Sequence, residues 1–496
     1  MQEKSENKPK VRVRFPPSPT GFLHVGSART ALYNFLFAKS NNGQLILRIE
    51  DTDEARNNAD GEADIFESLK WLGISWDEGP DIGGPSKSYK QSERAEIYEL
   101  AVKKLLSTGK AYRCFCSQER LDKLRDECEA VKMPFKYDNK CRGISLEESE
   151  KKGKVDNFVV RLKINEGEEV IINDLVRGKV RFAPGAVDDF VLSKGTNKAL
   201  YHLAVVVDDY EMKITHIIRG EDGLSNTPKH VFLQRALGYQ TPIYAHLPLL
   251  LDEQKKKLSK RSGDVSLFVK TLREEEGYLP EAIINGLALL GWNSKTEQDL
   301  FTLEELKNVF KLENVQKAGA VFSLDRLNWL NKQHIRKLSV EVLRERVKPF
   351  MDKVGVKVAD DYLMRLIQIE RERITLLKEV PGLVLDTISN PVLDSEKIAW
   401  KKDDKNIAKD ALEFLLDKMG QLSAETWSDF EMLQSSIMKI VDKSEKGRAT
   451  MLWPMRYALS GKEKSAGPQE LAWLLGKDET IKRMREAVVQ LGPGNK

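Results

Sequence analysis

Val11-Arg12-Val13-Arg14-Phe15-Pro16-Pro17-Ser18-Pro19-Thr20-Gly21-Phe22-Leu23-His24-Val25-Gly26-Ser27 is the stretch whose reading decides the fold. Its first five residues alternate between apolar and basic with period two, the pattern of a strand. Pro16, Pro17 and Pro19 then withhold amide donors, so the ladder cannot continue through them. From His24 the spacing changes. Leu32, Phe35 and Leu36 stand at i, i+3 and i+4, and Gly43 supplies a stop, which predicts a helix. Leu45-Ile46-Leu47-Arg48-Ile49 follows, mostly apolar, as expected of a strand buried on both faces. Strand, loop, helix, strand makes a βαβ unit with a right-handed crossover, and predicts a parallel sheet. Ligands of such folds bind at the carboxyl ends of the strands. A helix N-terminus there offers backbone amides to phosphate. Gly26 permits close approach, and His24 can donate to a phosphoryl oxygen as charge develops. Taken alone, His24 reads first as a residue capping or packing a helix end.

Beyond this unit, Gly79, Gly83, Gly84 and Pro85 mark a boundary around residues 80–95. Residues 111–200 mix short strand-like runs, such as Asn157–Leu162, with turns, and read as an inserted α+β domain. Strand-like Tyr201–Val207 and Ile214–Ile218 then resume the first fold. Helical periodicity dominates from about residue 265, with Leu363, Leu366, Ile367, Ile374 and Leu377 as examples. From about residue 330 the chain reads as all helical, broken near Asn390-Pro391 and between Gly461 and Gly467. At about 100–200 residues per domain, 496 residues correspond to three or four domains.

Charge excludes some functions. The 80 basic and 76 acidic residues leave a net charge of +4, too little for a wrapping DNA binder yet compatible with a local basic face. No window approaches about 18 uncharged apolar residues, so no membrane span is expected. The start, Met1-Gln2-Glu3-Lys4-Ser5-Glu6-Asn7-Lys8, lacks an apolar signal core and carries acidic residues, so a cytoplasmic protein is expected. The four cysteines all lie between Cys114 and Cys141, which rules out a disulfide-built fold. Cys114-Phe115-Cys116 with distant Cys141 suits zinc, which takes four ligands in structural sites. Cys128 stands at i+7 from Leu121 and is expected to be a core cysteine on the apolar side of a helix.

A second chemical motif is Lys255-Lys256-Lys257-Leu258-Ser259-Lys260-Arg261-Ser262-Gly263, a basic run after the apolar stretch His246–Leu251. Lys257 and Lys260 with Ser259 between them can clamp a phosphate chain whose charge is spreading in a transition state. By itself such a run reads first as a solvated surface. The order of the two motifs, with a domain between them, resembles a class I aminoacyl-tRNA synthetase. His24-Val25-Gly26-Ser27 is similar to that class's HIGH signature and Lys257-Leu258-Ser259-Lys260-Arg261 to its KMSKS signature. Ser27 replaces the second histidine, and Leu258 and Arg261 replace methionine and serine, so catalytic weight carries over to His24, Lys257 and Lys260 only. In detail the chain resembles bacterial-type glutamyl-tRNA synthetases. The resemblance rests on Arg14–Gly21, Arg48-Ile49-Glu50-Asp51-Thr52-Asp53, Tyr201–Asp209, Ile217-Ile218-Arg219-Gly220-Glu221-Asp222, Gly277–Ala282 and Leu287–Trp292. It spans at least residues 12–335.

The resemblance implies an α/β fold. A Rossmann-like parallel-sheet catalytic domain (1–110 and 201–265) would carry an inserted acceptor-binding α+β domain (111–200). A helical stem-contact region (266–330) and an all-α anticodon-binding region (331–496) would follow. It also implies ATP with Mg2+, L-glutamate and tRNA-Glu as partners of a monomer, with tRNA-Gln as an alternative second substrate. ATP would meet His24, Gly26, Glu221, Lys257, Ser259 and Lys260. Arg14 and Arg219 would hold the glutamate side-chain carboxylate with Tyr201, since arginine binds carboxylates bidentately. Glu50 with Ser18 would take the ammonium group. The α-carboxylate would attack the α-phosphorus of ATP, and the terminal tRNA hydroxyl would then attack the adenylate, with no covalent enzyme intermediate. Family members typically need bound tRNA before they form the adenylate. Some relatives have a C-x-C…C-x-H zinc site, where Gly143 here replaces the histidine. Others use Y-x3-C, which Tyr137–Cys141 matches, so the resemblance favours Cys114, Cys116, Tyr137 and Cys141 as ligands of one structural Zn2+; the alternative is a remnant cluster without metal.

Three related enzymes fit less well. A tRNA-base glutamylating relative lacks the long stretch after Lys332, a glutaminyl enzyme ends in β-barrels, and a small-molecule nucleotidyltransferase needs neither insertion nor tail. A catalytically dead tRNA-binding scaffold would not retain His24, Lys257 and Lys260 together. In the tail, Trp400, Lys401, Lys402, Trp453, Arg456 and Tyr457 are aromatics and bases of the kind that meet phosphates and unstacked bases. Lys260→Ala is expected to lower kcat far more than it raises the glutamate KM, because its contact strengthens in the transition state; steady-state aminoacylation kinetics with an unchanged kcat would refute the role.

Overall fold

The computed structural model describes residues 10–492 apart from Pro134, Glu166, Ser259, Lys260, Gly263, Asp264 and Lys402. It comprises two compact units, Met1–Glu274 with Pro280–Leu330, and Glu275–Leu279 with Asn331–Lys496.

The first unit opens as β1 (Arg12–Phe15), α1 (Val25–Ser40) and β2 (Gln44–Leu47). β1 and β2 pair in parallel, Arg12 opposite Gln44 and Phe15 opposite Leu47. The helices α2 (Ala59–Trp71) and α3 (Ala95–Ser107) follow. Asp64 of α2 is buried and accepts the Leu23 amide at 2.7 Å, which anchors the proline loop just before α1. The insertion contributes β3 (Ala111–Cys114), α4 (Gln118–Ala130), α5 (Leu146–Gly153), β4 (Val159–Leu162), the hairpin β5 (Val170–Asp174) and β6 (Gly178–Phe182), β7 (Val191–Lys194) and β8 (Lys198–Ala199). β3-β4-β7-β8 form an antiparallel sheet. In β5 the side chains alternate, Val170, Ile172 and Asp174 inward. The parallel fold resumes with α6 (Tyr201–Glu211), β9 (His216–Gly220), α7 (Thr227–Leu237) and β10 (Ile243–Leu247), β9 and β10 again parallel. β9 is tied to β1 by mutual bonds between Thr215 and Arg12. One apolar core runs from the α/β layers (Ile46, Leu203, Ile217, Leu233, Tyr244) into the insertion (Val160, Leu162, Val170, Leu192).

Tyr201–Val207, expected as a strand, is the start of helix α6. The run is apolar all round because every side of it from Leu203 to Asp209 is buried, so no amphipathic period is visible, and Val205-Val206-Val207 carries a strand-like composition that tertiary burial overrides. The helix also resolves where its two acids go. Asp208 and Asp209 lie about 100° apart around the axis, and each has its own partners. Asp208 accepts from Arg94 (2.7 Å), Tyr98 (2.8 Å) and Gln91 (2.9 Å); Asp209 accepts from Arg48 (2.8 Å) and Arg14 (3.1 Å).

Cys128 is corrected as well. α4 buries no residue, and Cys128 is only half-buried, so its helix lies on the surface rather than in a core.

The described part of the second unit is helical from Val340–Lys353 to Pro468–Gln490, the last of these kinked at Gly476. Its buried hub is Arg483, 2% exposed. Its guanidinium donates to Leu459 O (2.8 Å), Thr387 O (2.9 Å) and Glu479 (2.8 Å), so one side chain satisfies carbonyls at the C-terminal ends of two neighbouring helices. Trp400 packs on Trp453 with centroids 4.8 Å apart, Lys401 and Arg456 lie over these rings, and Tyr457 is buried, its hydroxyl accepting from the Asp394 amide. Lys402 falls outside the described residues.

Asp208→Ala should destabilise the first unit by about 3–5 kcal/mol, because it strands the buried Arg94 charge. Denaturant unfolding checks it; a loss below about 1 kcal/mol would show that Arg94 finds other partners.

Candidate active site

The carboxyl ends of β1 and β9 and the N-terminus of α1 surround a cleft of about 500 Å³. His24, Gly26, Arg14, Ser18, Glu50, Tyr201, Arg219 and Lys257 all line it. His24 and Lys257, 233 positions apart by number, thus face one cavity. Ser18, Glu50 and Tyr201 also border an adjoining cavity of about 660 Å³ that opens toward Lys194 and Lys198 of the insertion. Ser259 and Lys260 lie outside the described residues.

His24 is the N-cap of α1, and its Nδ1 accepts the Gly26 amide at 3.1 Å. Accepting at Nδ1 puts the neutral ring's proton on Nε2. The ring stands edge-on to Phe268, centroids 6.0 Å apart. Lys257 bridges back to Leu251, and its side chain is exposed along the cleft wall. Glu221 is turned away, its carboxylate paired with Arg177, and the neighbouring Asp222 takes the place on the wall. Arg29, which had no role in the sequence reading, also lines the cleft and ties α1 to the carbonyls of Pro248 and Leu290.

Arg14 and Glu50 belong to one buried chain of charges. Arg14 donates to Asp209, Asp209 accepts from Arg48, and Arg48 donates to Glu50 at 3.0 Å. Burial alone would raise the Asp209 carboxyl, but Arg14 and Arg48 outweigh it and hold it below its ordinary value. Burial pushes the Glu50 carboxyl up, with Arg48 and Arg14 opposing. Arg14 Nη1 is buried and has no hydrogen-bond partner among the described residues, so it can donate to a carboxylate entering the cleft. Arg48 and Asp209 sit inside quoted motif segments, yet nothing in their spacing told that they meet.

Arg219 is held by a second chain. Its Nε donates to His246 Nε2 (3.1 Å), its Nη2 to Thr227 Oγ1 (2.9 Å), and its Nη1 faces His230 Nδ1 (3.4 Å). His230 Nε2 continues to His202 Nδ1 at 3.2 Å, and His246 Nδ1 to Asp174 at 2.6 Å. Burial lowers all three histidines, His202 to about 4, so they are neutral near pH 7 and the positive charge stays on Arg219. Gly223 makes room for it. A Cβ there would fall 2.8 Å from Arg219 Nε, so a side chain would displace the guanidinium.

Away from the cleft, the sulfurs of Cys114, Cys116 and Cys141 lie within 4.8 Å of one another, Cys116 and Cys141 at 3.7 Å. The Tyr137 hydroxyl is 3.3 Å from the Cys114 sulfur and 3.5 Å from that of Cys116. Tetrahedral zinc with Zn–S of about 2.3 Å separates its sulfurs by about 3.8 Å, so this donor set fits. Cys128 is not part of it.

Comparison with known proteins agrees with this geometry. Residues 10–329 match the family model described as tRNA synthetases class I (E and Q), catalytic domain, and residues 342–488 match an anticodon binding domain. The chain belongs to this class I tRNA synthetase family. It is 40% identical over 481 residues to glutamate--tRNA ligase 2 of Caldicellulosiruptor saccharolyticus, covering 96% of this chain and 98% of that one. It is 41% identical over 486 residues to the glutamate--tRNA ligase of Clostridium botulinum strain Okra, covering 97% and 99%. A solved glutamate tRNA ligase from Elizabethkingia meningosepticum, in complex with its amino acid, superposes with a TM-score of 0.88 at 36% identity over 97% of this chain and all of that one. Among the described residues of this synthetase, no helix is long and apolar enough to cross a membrane.

Proposed function

We propose that this synthetase joins L-glutamate to tRNA-Glu at the expense of ATP, by way of glutamyl-adenylate, in the cleft between His24 and Lys257. Attachment of glutamate to tRNA is the activity that the near-full-length relatives carry in name. The observation that carries the residue-level reading is the convergence of a helix N-terminus, a lysine and two arginines on one cavity.

In the first step the glutamate α-carboxylate attacks the α-phosphorus of MgATP, and pyrophosphate leaves. His24 Nε2–H and Lys257 stabilise charge on the phosphate oxygens, and Lys260 completes the clamp. Arg14 Nη1, which has no partner among the described residues, and the outer Nη atoms of Arg219 bind the side-chain carboxylate, with Tyr201 beside them, while Glu50 and Ser18 take the ammonium. In the second step the terminal adenosine hydroxyl of tRNA attacks the activated carbonyl and AMP leaves. The adjoining cavity over Lys194 and Lys198 suits an incoming phosphodiester strand. The enzyme works by positioning, so no residue forms a covalent bond to substrate.

Zinc, when bound by Cys114, Cys116, Tyr137 and Cys141, would staple the insertion and take no part in either step. A cytoplasmic location and a monomeric chain complete the reading; free, clustered cysteines suit a reducing compartment.

The decisive experiment is aminoacylation of purified tRNA-Glu and tRNA-Gln, each with glutamate and with glutamine. Charging of tRNA-Glu with glutamate is expected, and its absence would end the reading. Arg219→Ala should raise the glutamate KM about 10- to 100-fold through loss of charge-assisted hydrogen bonds, with the ATP KM little changed; an unchanged glutamate KM would remove Arg219 as a ligand. Metal analysis of protein purified without added zinc should find about one zinc ion per chain, and Cys116→Ser should lose it together with thermal stability while the glutamate KM stays as in wild type. Metal-free wild-type protein of full stability would sink the zinc reading.

A further inference from the structure

Arg219 does not hold itself in place, and the group that aims it comes from the insertion. His246 of β10 stands opposite Arg219 of β9 in the parallel register. Asp174, at the end of β5, closes on His246 three times: the His246 amide donates to both carboxylate oxygens at 3.1 and 3.2 Å, and Nδ1 lies 2.6 Å from Oδ2. Asp174 is itself pinned by the amides of Val176 and Arg177 in the hairpin turn, at 2.9 and 2.8 Å. The hairpin is fastened to the same strand by the Leu175 amide on Tyr244 O. Asp174 is 4% exposed and His246 is fully buried.

We propose that Asp174 and His246 are positioning residues for amino-acid recognition, fixing the direction of the Arg219 guanidinium. The proposal rests on the reading of Arg219 as a ligand of the glutamate side chain. A carboxylate against Nδ1 makes that nitrogen the donor and leaves Nε2 as an acceptor. Only an acceptor there can receive the Arg219 Nε–H. With Thr227 taking Nη2 and His230 facing Nη1, three of the five guanidinium N–H groups have protein partners among the described residues. The Nε edge is consumed, so the terminal fork of Nη1 and Nη2 is the end presented to a ligand. That is the orientation a bidentate carboxylate needs. An amide oxygen and nitrogen, as in glutamine, would set one N–H donor against another, so the same orientation serves discrimination.

His246 Nε2 also lies 3.2 Å from Thr227 Oγ1, itself the acceptor of Arg219 Nη2, so the dyad reaches the guanidinium both directly and through Thr227, and this is testable with the full-length enzyme. His246→Phe keeps the ring and removes both nitrogens; His246→Gln returns an acceptor for Arg219 and a donor for Asp174. Asp174→Asn can donate to Nδ1, moving the ring proton to Nε2 and turning a donor toward the Arg219 Nε–H. Aminoacylation kinetics would be measured for all three alongside Arg219→Ala, with thermal unfolding as the check on folding. Expected for His246→Phe and Asp174→Asn is a glutamate KM raised about tenfold or more, ATP and tRNA KM values within about threefold of wild type, and a reduced preference for glutamate over glutamine. His246→Gln should recover much of the loss. A folded His246→Phe with a wild-type glutamate KM overturns the proposal, as does an equal rise in the glutamate and ATP KM values. Should His246→Phe not fold, Asp174→Asn decides on the same criteria. Arg219→Ala separates the two levels: if it raises the glutamate KM and the dyad variants do not, only the positioning role falls; if it leaves the KM unchanged, the reading of Arg219 fails and the dyad falls with it.

Discussion

Two consecutive carboxylates buried in the middle of a helix set the terms for the first unit. Asp208 and Asp209 have almost no access to water. Each would be prohibitively costly without a cation and hydrogen bonds of its own. The helix turns them to different sides, and so two sets of partners must be brought to α6. Arg94, Tyr98 and Gln91 come from α3 and the turn before it, Arg14 from β1 and Arg48 from just past the end of β2. Helix, strands and loop are thereby held in one relation. The cleft lies at the open end of that arrangement, and two of its charged wall residues, Arg14 and Glu50, belong to the network around Asp209.

Arg14 and Arg219, the two arginines read as glutamate ligands, are oriented by different means. Arg14 is held by an ion pair to Asp209, and the net charge of its surroundings is balanced through Arg48 and Glu50. Among the described residues Arg219 meets no carboxylate directly; a neutral imidazole stands between it and Asp174. Both are gripped at the Nε edge, so each keeps terminal nitrogens for a ligand; Arg14 shares its charge with Asp209, whereas the acceptor beside Arg219 is neutral.

Much of this was legible in the sequence, because the motifs are local. The proline loop, the helix opened by His24 and the apolar strand after Gly43 are contiguous, and their periodicity announces a βαβ unit. His24, Gly26, Arg14, Ser18, Glu50, Tyr201, Arg219 and Lys257 line one cleft. What spacing could not tell was anything set by burial or by a distant partner. Tyr201–Val207 reads as a strand because it is apolar on every side, which is a statement about its surroundings and not about its backbone. Leu121, Leu124 and Cys128 have helical spacing, but they are only half-buried, Leu121 against the cysteine cluster, and α4 buries no residue. Glu221 sits in a motif segment, yet Arg177, 44 positions earlier, draws its carboxylate aside. Asp174 carries no signal at all: it is an acid at the end of a strand, and only folding sets it against His246, 72 positions on.

The hydrophobic core that runs without interruption from the α/β layers into the insertion has a bearing on how this molecule can be re-engineered. Continuous packing of that kind denies the middle of the chain the status of an exchangeable cassette. A foreign module spliced in at residues 111–200 would have to reproduce not just the length and the end-to-end span, but also the apolar face beneath Leu203 and Leu233 and an acid at the tip of a hairpin. Transplants that honour only the splice points would leave a wound in the scaffold.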